Sequence, residues 1–148
     1  MPSRSRGLSI FVVLVAVAAL AAAGGAATRK GALVKVSKTP LGRILVDSRG
    51  RTLYLFEKDK SKASMCSGSC ATFWPPLLTS GKPRSGAGVR AALLGTIKRA
   101  GGARQVTYRG HPLYTFKLEH AGQTKGEGLT DQGPPYYAVS PAGAAVVK

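Results

Sequence analysis

The sequence predicts an all-β domain of two pseudo-repeated hairpin or meander units, packed as a small sandwich or barrel-like body. Three observations lead there. Laying residue n over residue n + 60 aligns Arg49-Gly50-Arg51-Thr52-Leu53-Tyr54-Leu55-Phe56 with Arg109-Gly110-His111-Pro112-Leu113-Tyr114-Thr115-Phe116, and a repeated stretch means a repeated supersecondary unit. The apolar runs are of strand length, rich in β-branched and aromatic residues, and bounded by Gly and Pro. The one segment of helical character, residues 89–94, is too short to organise a domain.

The N-terminus has the three parts of a secretory signal: a basic stretch with Arg4 and Arg6, an apolar run over residues 8–23 interrupted only by Ser9, and small residues at 24–27. Cleavage after Ala23 and cleavage after Ala27 both satisfy the pattern. The expected organisation is therefore a signal at 1–27 and one β-rich domain at 28–148, holding repeats at about 33–78 and 95–143. The alternative is an uncleaved membrane anchor, against which the run is shorter than the roughly 20 residues that span a bilayer.

Along the mature chain, residues 33–36 read as a first strand. Residues 44–46 and 105–108 each lead through an Arg-Gly turn into Leu-Tyr-x-Phe, and glycine supplies the positive φ that a tight hairpin requires. Residues 96–98, 136–139 and 144–147 complete seven or eight short strands, the last after the turn at 140–143. Residues 79–88 and 121–135, rich in Gly and Pro, read as loops. Period-two alternation sends Tyr54 and Phe56 to one face and Leu53 and Leu55 to the other, with Tyr114 and Phe116 opposed to Leu113 in the same way. Both faces are apolar, so these strands are expected to be covered on both sides.

The chain carries 22 basic and 6 acidic residues; a signal at 1–27 removes Arg4 and Arg6 and no acid, leaving about +14. Such a surface attracts polyanions. The bases are scattered, with no aromatic-interleaved groove and no DNA-reading helix. The expected partners are anionic cell-wall polymers or a membrane surface, and no specific nucleic acid.

Tyr54-Leu55-Phe56-Glu57-Lys58-Asp59 fits the pattern Tyr, any residue, aromatic, any two residues, Asp. With it stand Cys66-x-x-x-Cys70, Trp74-Pro75-Pro76-Leu77, Gly110-His111-Pro112-Leu113-Tyr114 and Tyr137-Ala138-Val139-Ser140-Pro141. In this combination residues 33–143 resemble the bacterial secreted-repeat lipoproteins that carry the Yx(FWY)xxD motif, a family of unassigned function. Two departures stand out: the second copy has Glu119 in place of Asp, and no cysteine lies at the expected cleavage point to take a lipid.

Cys66 and Cys70 are the only cysteines, and an exported chain with an even count is expected to pair them. Closing so short a loop stabilises by about 2 kcal/mol in the chain-entropy description. Tyr54, Phe56, Asp59, Trp74, Tyr114, Phe116, Glu119 and Tyr137 are the motif residues, expected mainly in the core, with a ligand groove between the repeats as the functional reading. Asp59 is expected to accept turn N–H groups or pair with a base. A metal site, copper or zinc, would draw on Met65, Cys66, Cys70, His111 and His120. A hydrolase would rest on His111 and His120 alone, and neither has a positioned nucleophile beside it in sequence. The sequence thus points to a secreted or envelope-associated, non-enzymatic binding or structural module without a cofactor. An extracytoplasmic metal-binding or electron-transfer accessory protein is the alternative.

Overall fold

The computed structural model describes Pro2, residues 30–60 and residues 62–148. Pro2 apart, the expected signal at 1–27 lies outside the described residues. No helix among the described residues is long and apolar enough to cross a membrane.

Among the described residues the regular structure is mainly strand: β1 (Leu33–Thr39), β2 (Gly42–Val46), β3 (Tyr54–Phe56), β4 (Leu78–Thr79), β5 (Arg84–Ser85), β6 (Leu94–Lys98), β7 (Arg104–Tyr108), β8 (His111–Pro112) and β9 (Tyr136–Ala138). Among the described residues one short α-helix, α1 (Ser69–Phe73), interrupts them. The strands form a sheet ordered β2-β1-β5, a pair β3-β9, and a sheet β4-β7-β6 with β8 added to β7. Among the described residues no sheet closes into a barrel.

The two copies interlock. Tyr54 and Tyr114 form an antiparallel bridge in which each N–H donates to the other's carbonyl, at 2.8 and 2.9 Å. On its other edge the first motif strand meets β9, with Leu55 opposite Tyr137. The second motif strand meets residues 75–77, through Leu77 N–H to Leu113 O and Thr115 N–H to Pro75 O, both 2.9 Å. Each copy's motif strand therefore pairs with the trailing segment of the other.

The alternation predicted for the motif strands sorts the core. Tyr54, Phe56, Tyr114 and Phe116 join Ile44, Val46, Cys66, Cys70, Trp74, Tyr136 and Ala138 on one face. Leu53, Leu55 and Leu113 join Val34, Leu45, Val106, Tyr108 and Val139 on the other. Both sides of the strands are covered, as their apolar pattern requires.

The Arg-Gly turns differ by one residue. In the second copy Tyr108 pairs with His111 around a two-residue turn, Arg109 and Gly110 both at positive φ (47° and 81°), the backbone of a type I′ hairpin. In the first copy Asp47 N–H donates to Arg51 O, a longer connection with Gly50 at φ 81°. Here Asp47 Oδ1 accepts the N–H groups of Arg49 and Arg51, and its other oxygen pairs with the Arg51 guanidinium. A one-residue change of register exchanges the faces of a strand. Val46 and Val106, equivalent in sequence, accordingly lie in opposite cores.

Three details differ from the sequence reading. Residues 144–147 make no strand: one bridge joins Val139 to Ala145, Ala145 and Val146 pack against the cores, and Val147 stays exposed, the two alanines offering little apolar surface to bury. Residues 79–88 contain β5, which adds in parallel to β1 through Leu33↔Arg84. Residues 89–94 hold a 3-10 turn at Ala91–Leu93, and Leu94 already belongs to β6.

Candidate functional site

The repeated Tyr and acid meet crosswise. Tyr54 OH donates to Glu119 Oε2 at 2.8 Å, and Tyr114 OH donates to Asp59 Oδ2 at 2.7 Å. Each tyrosine thus reaches the acid of the other copy, the two motif strands running antiparallel through the Tyr54–Tyr114 bridge. Each acid also accepts a backbone N–H from the loop that follows it: Asp59 from Met65 at 2.6 Å, Glu119 from Gly126 at 3.2 Å. The loop after Glu119 is one residue longer, and the side chain is one methylene longer.

Burial raises the pKa of Asp59 and of Glu119, opposed by their tyrosine and backbone donors. Tyr54 and Tyr114 are pushed far above the usual phenol range, first by burial and then by the carboxylates facing them. Glu119 Oε1 is buried without a partner, so at high pH a charged oxygen there lacks compensation. These are hydrogen-bonded structural pairs, with the phenols held protonated as donors.

Around them four rings stack in the order Phe56, Tyr136, Trp74, Phe116, with centroid separations of 4.2, 3.6 and 4.5 Å. The equivalent Phe56 and Phe116 stand at the two ends. Tyr54 meets Trp74 edge-on at 5.4 Å and Tyr114 meets Tyr136 edge-on at 5.7 Å, the offset geometry that ring quadrupoles favour. Asp131 accepts the Trp74 Nε1–H on both oxygens, at 3.1 and 3.2 Å.

Cys66 and Cys70 are disulfide-bonded. The bridge closes the turn into α1 and lies against the stack, with Cys70 Sγ 3.2 Å from Tyr136 OH. A five-residue helix is too short to leave a period in the sequence; here the cross-link fixes its entry and Trp74 N–H to Cys70 O, 2.8 Å, closes its last turn.

Of the eight expected motif residues, Tyr54, Phe56, Asp59, Trp74, Tyr114, Phe116 and Glu119 come together and are buried. Tyr137 packs with the other core, and the ring beside Trp74 is Tyr136; alternation along β9 decides between the neighbours. The opening nearest the stack is a depression of about 350 Å³, lined by Phe73, Phe116, Leu118, Leu129, Asp131 and Gln132. Among the motif residues, Phe116 alone reaches it.

The expected metal candidates do not converge. Both cysteine sulfurs are spent in the disulfide, Met65 and His120 are exposed, and His111 sits at the β7–β8 turn. Among the described residues no group of three or more His, Cys, Asp or Glu is close enough to hold a metal ion.

Three contributors escaped the sequence reading. Asp131 lies in a Gly-rich loop and gave no pattern. Gly126, within the stretch read as a loop, is where a Cβ would stand 2.8 Å from Tyr54 Cζ and 2.9 Å from Trp74 Cη2. Arg99, one base among many, donates to Cys66 O and to Gln105 Oε1, both at 2.7 Å.

Charge is sorted by depth. Asp47, Asp59 and Glu119 are buried, Glu57 and Glu127 half-buried, and Asp131 is the one exposed acid. Every described lysine and arginine except Lys35, Arg51 and Arg99 is exposed.

A family described as a secreted repeat of unknown function matches residues 35–78 and 95–132. No curated protein and no solved structure matches the chain.

Proposed function

The chain belongs to the family of secreted repeats of unknown function, and on that premise we propose that it is a non-enzymatic extracytoplasmic module that binds anionic material of the cell envelope, wall polymer or membrane surface. The observation that carries this reading is the inward placement of the acids. With most carboxylates withdrawn into the core or into short pairs with their own neighbours, the surface offers cations in nearly every direction. Only two ion pairs, Arg51–Asp47 and Lys60–Glu57, form among the described residues. Such a surface attracts polyanions over a Debye length of roughly 10 Å.

The repeated motif supports a structural role for itself. Its tyrosines and acids satisfy one another, and its aromatic rings stack in the core, which leaves recognition to the surface.

The test is sedimentation of the disulfide-intact protein with purified envelope fragments across a salt series. The expected result is retention at low ionic strength that falls steeply with added salt. No retention at low salt, or retention indifferent to salt, overturns the reading.

A further inference from the structure

A recess of about 530 Å³ opens between the disulfide loop and the β6–β7 hairpin, lined by Ser64, Ser67, Gly68, Lys98 and Arg99. A second depression, of about 360 Å³, adjoins it and is lined by Thr96, Lys98, Gly102 and Arg104. Lys98 borders both.

The cations here are held in place without an ion pair, although the buried Asp59 carboxylate acts on Arg99 at longer range. The Arg99 guanidinium is held by two neutral acceptors, the Cys66 carbonyl and the Gln105 amide oxygen. Gln105 is fully buried and anchored through its own Nε2–H to Leu113 O at 2.8 Å. A planar fork fixed in this way loses little freedom on meeting an oxyanion. Arg104 donates to Thr96 Oγ1 at 2.7 Å and stands opposite Lys98 in the β6–β7 register. Like charges directly opposed on a sheet are unfavourable; an anion placed between them removes that cost. None of the three is in an ion pair.

We propose that these two depressions grip consecutive phosphates of a linear polyphosphodiester chain, one at Arg99 and Lys98, the next at Lys98 and Arg104. This rests on the envelope-binding reading above and names its ligand class and its site. Tetrahedral phosphates accept hydrogen bonds from several directions, which suits a larger recess lined by Arg99, Lys98 and Ser67. A concave recess admits a segment of chain, whereas a planar bilayer meets only its rim.

The duplication supplies an internal control. Lys38 stands opposite Arg43 in the β1–β2 hairpin of the first copy, an opposed cationic pair like Lys98 and Arg104, although Arg43 and Arg104 are not equivalent in the repeat. Both are exposed, and neither borders the two depressions.

The experiment titrates a fluorescent poly(glycerol phosphate) oligomer with the disulfide-intact protein at low salt, beside poly-glutamate of equal charge and vesicles of phosphatidylglycerol and phosphatidylcholine. Lys98→Ala/Arg104→Ala, which alters only exposed side chains, is expected to weaken oligomer binding about tenfold or more, as for lost charge-assisted hydrogen bonds. Lys38→Ala/Arg43→Ala is expected to weaken it less than about threefold. Arg99→Lys, which keeps the charge and loses the fork, is expected to behave like the first pair; thermal melts establish that each variant is folded. Equal losses from the two double variants overturn the site while leaving the envelope-binding reading standing. Equal affinity for poly-glutamate overturns the phosphate assignment, and site variants that lose vesicle binding but retain the oligomer move the partner to the membrane. If the parent protein binds none of the three probes, the envelope-binding reading falls with it.

Discussion

Tyr54 and Tyr114, 60 residues apart and equivalent in the repeat, hold each other by both backbone hydrogen bonds, and each sends its hydroxyl to the acid of the opposite copy. The arrangement is a two-fold exchange within one chain. Neither copy can complete its tyrosine–carboxylate pair alone.

Removing one hydroxyl should therefore destabilise the whole domain. Tyr54→Phe leaves Glu119 without its phenolic donor, and Tyr114→Phe does the same to Asp59; each is expected to cost about 1–3 kcal/mol. Urea unfolding followed by circular dichroism measures this. A single cooperative transition, shifted in both variants, is the expected outcome, and two separate transitions would show that the copies fold independently.

Exchanging the acids tests the match between side chain and loop length. Glu119→Asp shortens the reach toward Gly126 and Tyr54 and should cost about 1–2 kcal/mol. Asp59→Glu adds a methylene to a buried site whose loop is one residue shorter, at about 1–3 kcal/mol. Unchanged stability in both would mean that the loops adjust freely.

The raised pKa of Glu119 sets a direction for pH. Because the folded state holds the proton more tightly than the unfolded chain, the contribution of this group is favourable below its unfolded pKa. It is lost as pH rises through the folded value. Glu119→Gln mimics the protonated acid, so its melting temperature relative to the parent should improve from acidic toward neutral pH. A relative stability that worsens as pH rises would show the carboxylate to be better held than its unpartnered oxygen implies.

Reduction of Cys66–Cys70, or Cys66→Ser/Cys70→Ser, releases a short loop and should cost about 2 kcal/mol. Thermal melts with and without a dithiol measure it. The double serine variant should melt at the same temperature in both conditions.

Gly126 has ordinary backbone dihedrals, so alanine there fails on space alone. Its Cβ would press on Tyr54 and Trp74, and Gly126→Ala is expected to cost about 1–3 kcal/mol. Gly128→Ala, two residues away with nothing within 4 Å of its Cβ but at φ 72°, should cost less, about 1 kcal/mol.

What could be seen in the sequence follows the range of each interaction. The Leu53/Tyr54 and Leu113/Tyr114 faces were readable because alternation is a property of neighbouring residues. Val46 and Val106, 60 residues apart, enter opposite cores because the two Arg-Gly turns differ in length, and no composition rule told those turns apart. Tyr137 was named from the sequence where Tyr136 joins the stack, since their faces depend on how β9 registers against β3.

By itself the sequence determined a duplicated, all-β chain with glycine at its turns, a leucine face and a tyrosine face on each motif strand, and a paired cysteine. These follow from contacts within a few residues, where periodicity and turn chemistry act. Only the tertiary structure decided which tyrosine meets which acid, which core each valine enters, and that the acids turn inward beneath a cationic surface. Those outcomes depend on how two distant strands cross, and crossing geometry is a property of the assembled core.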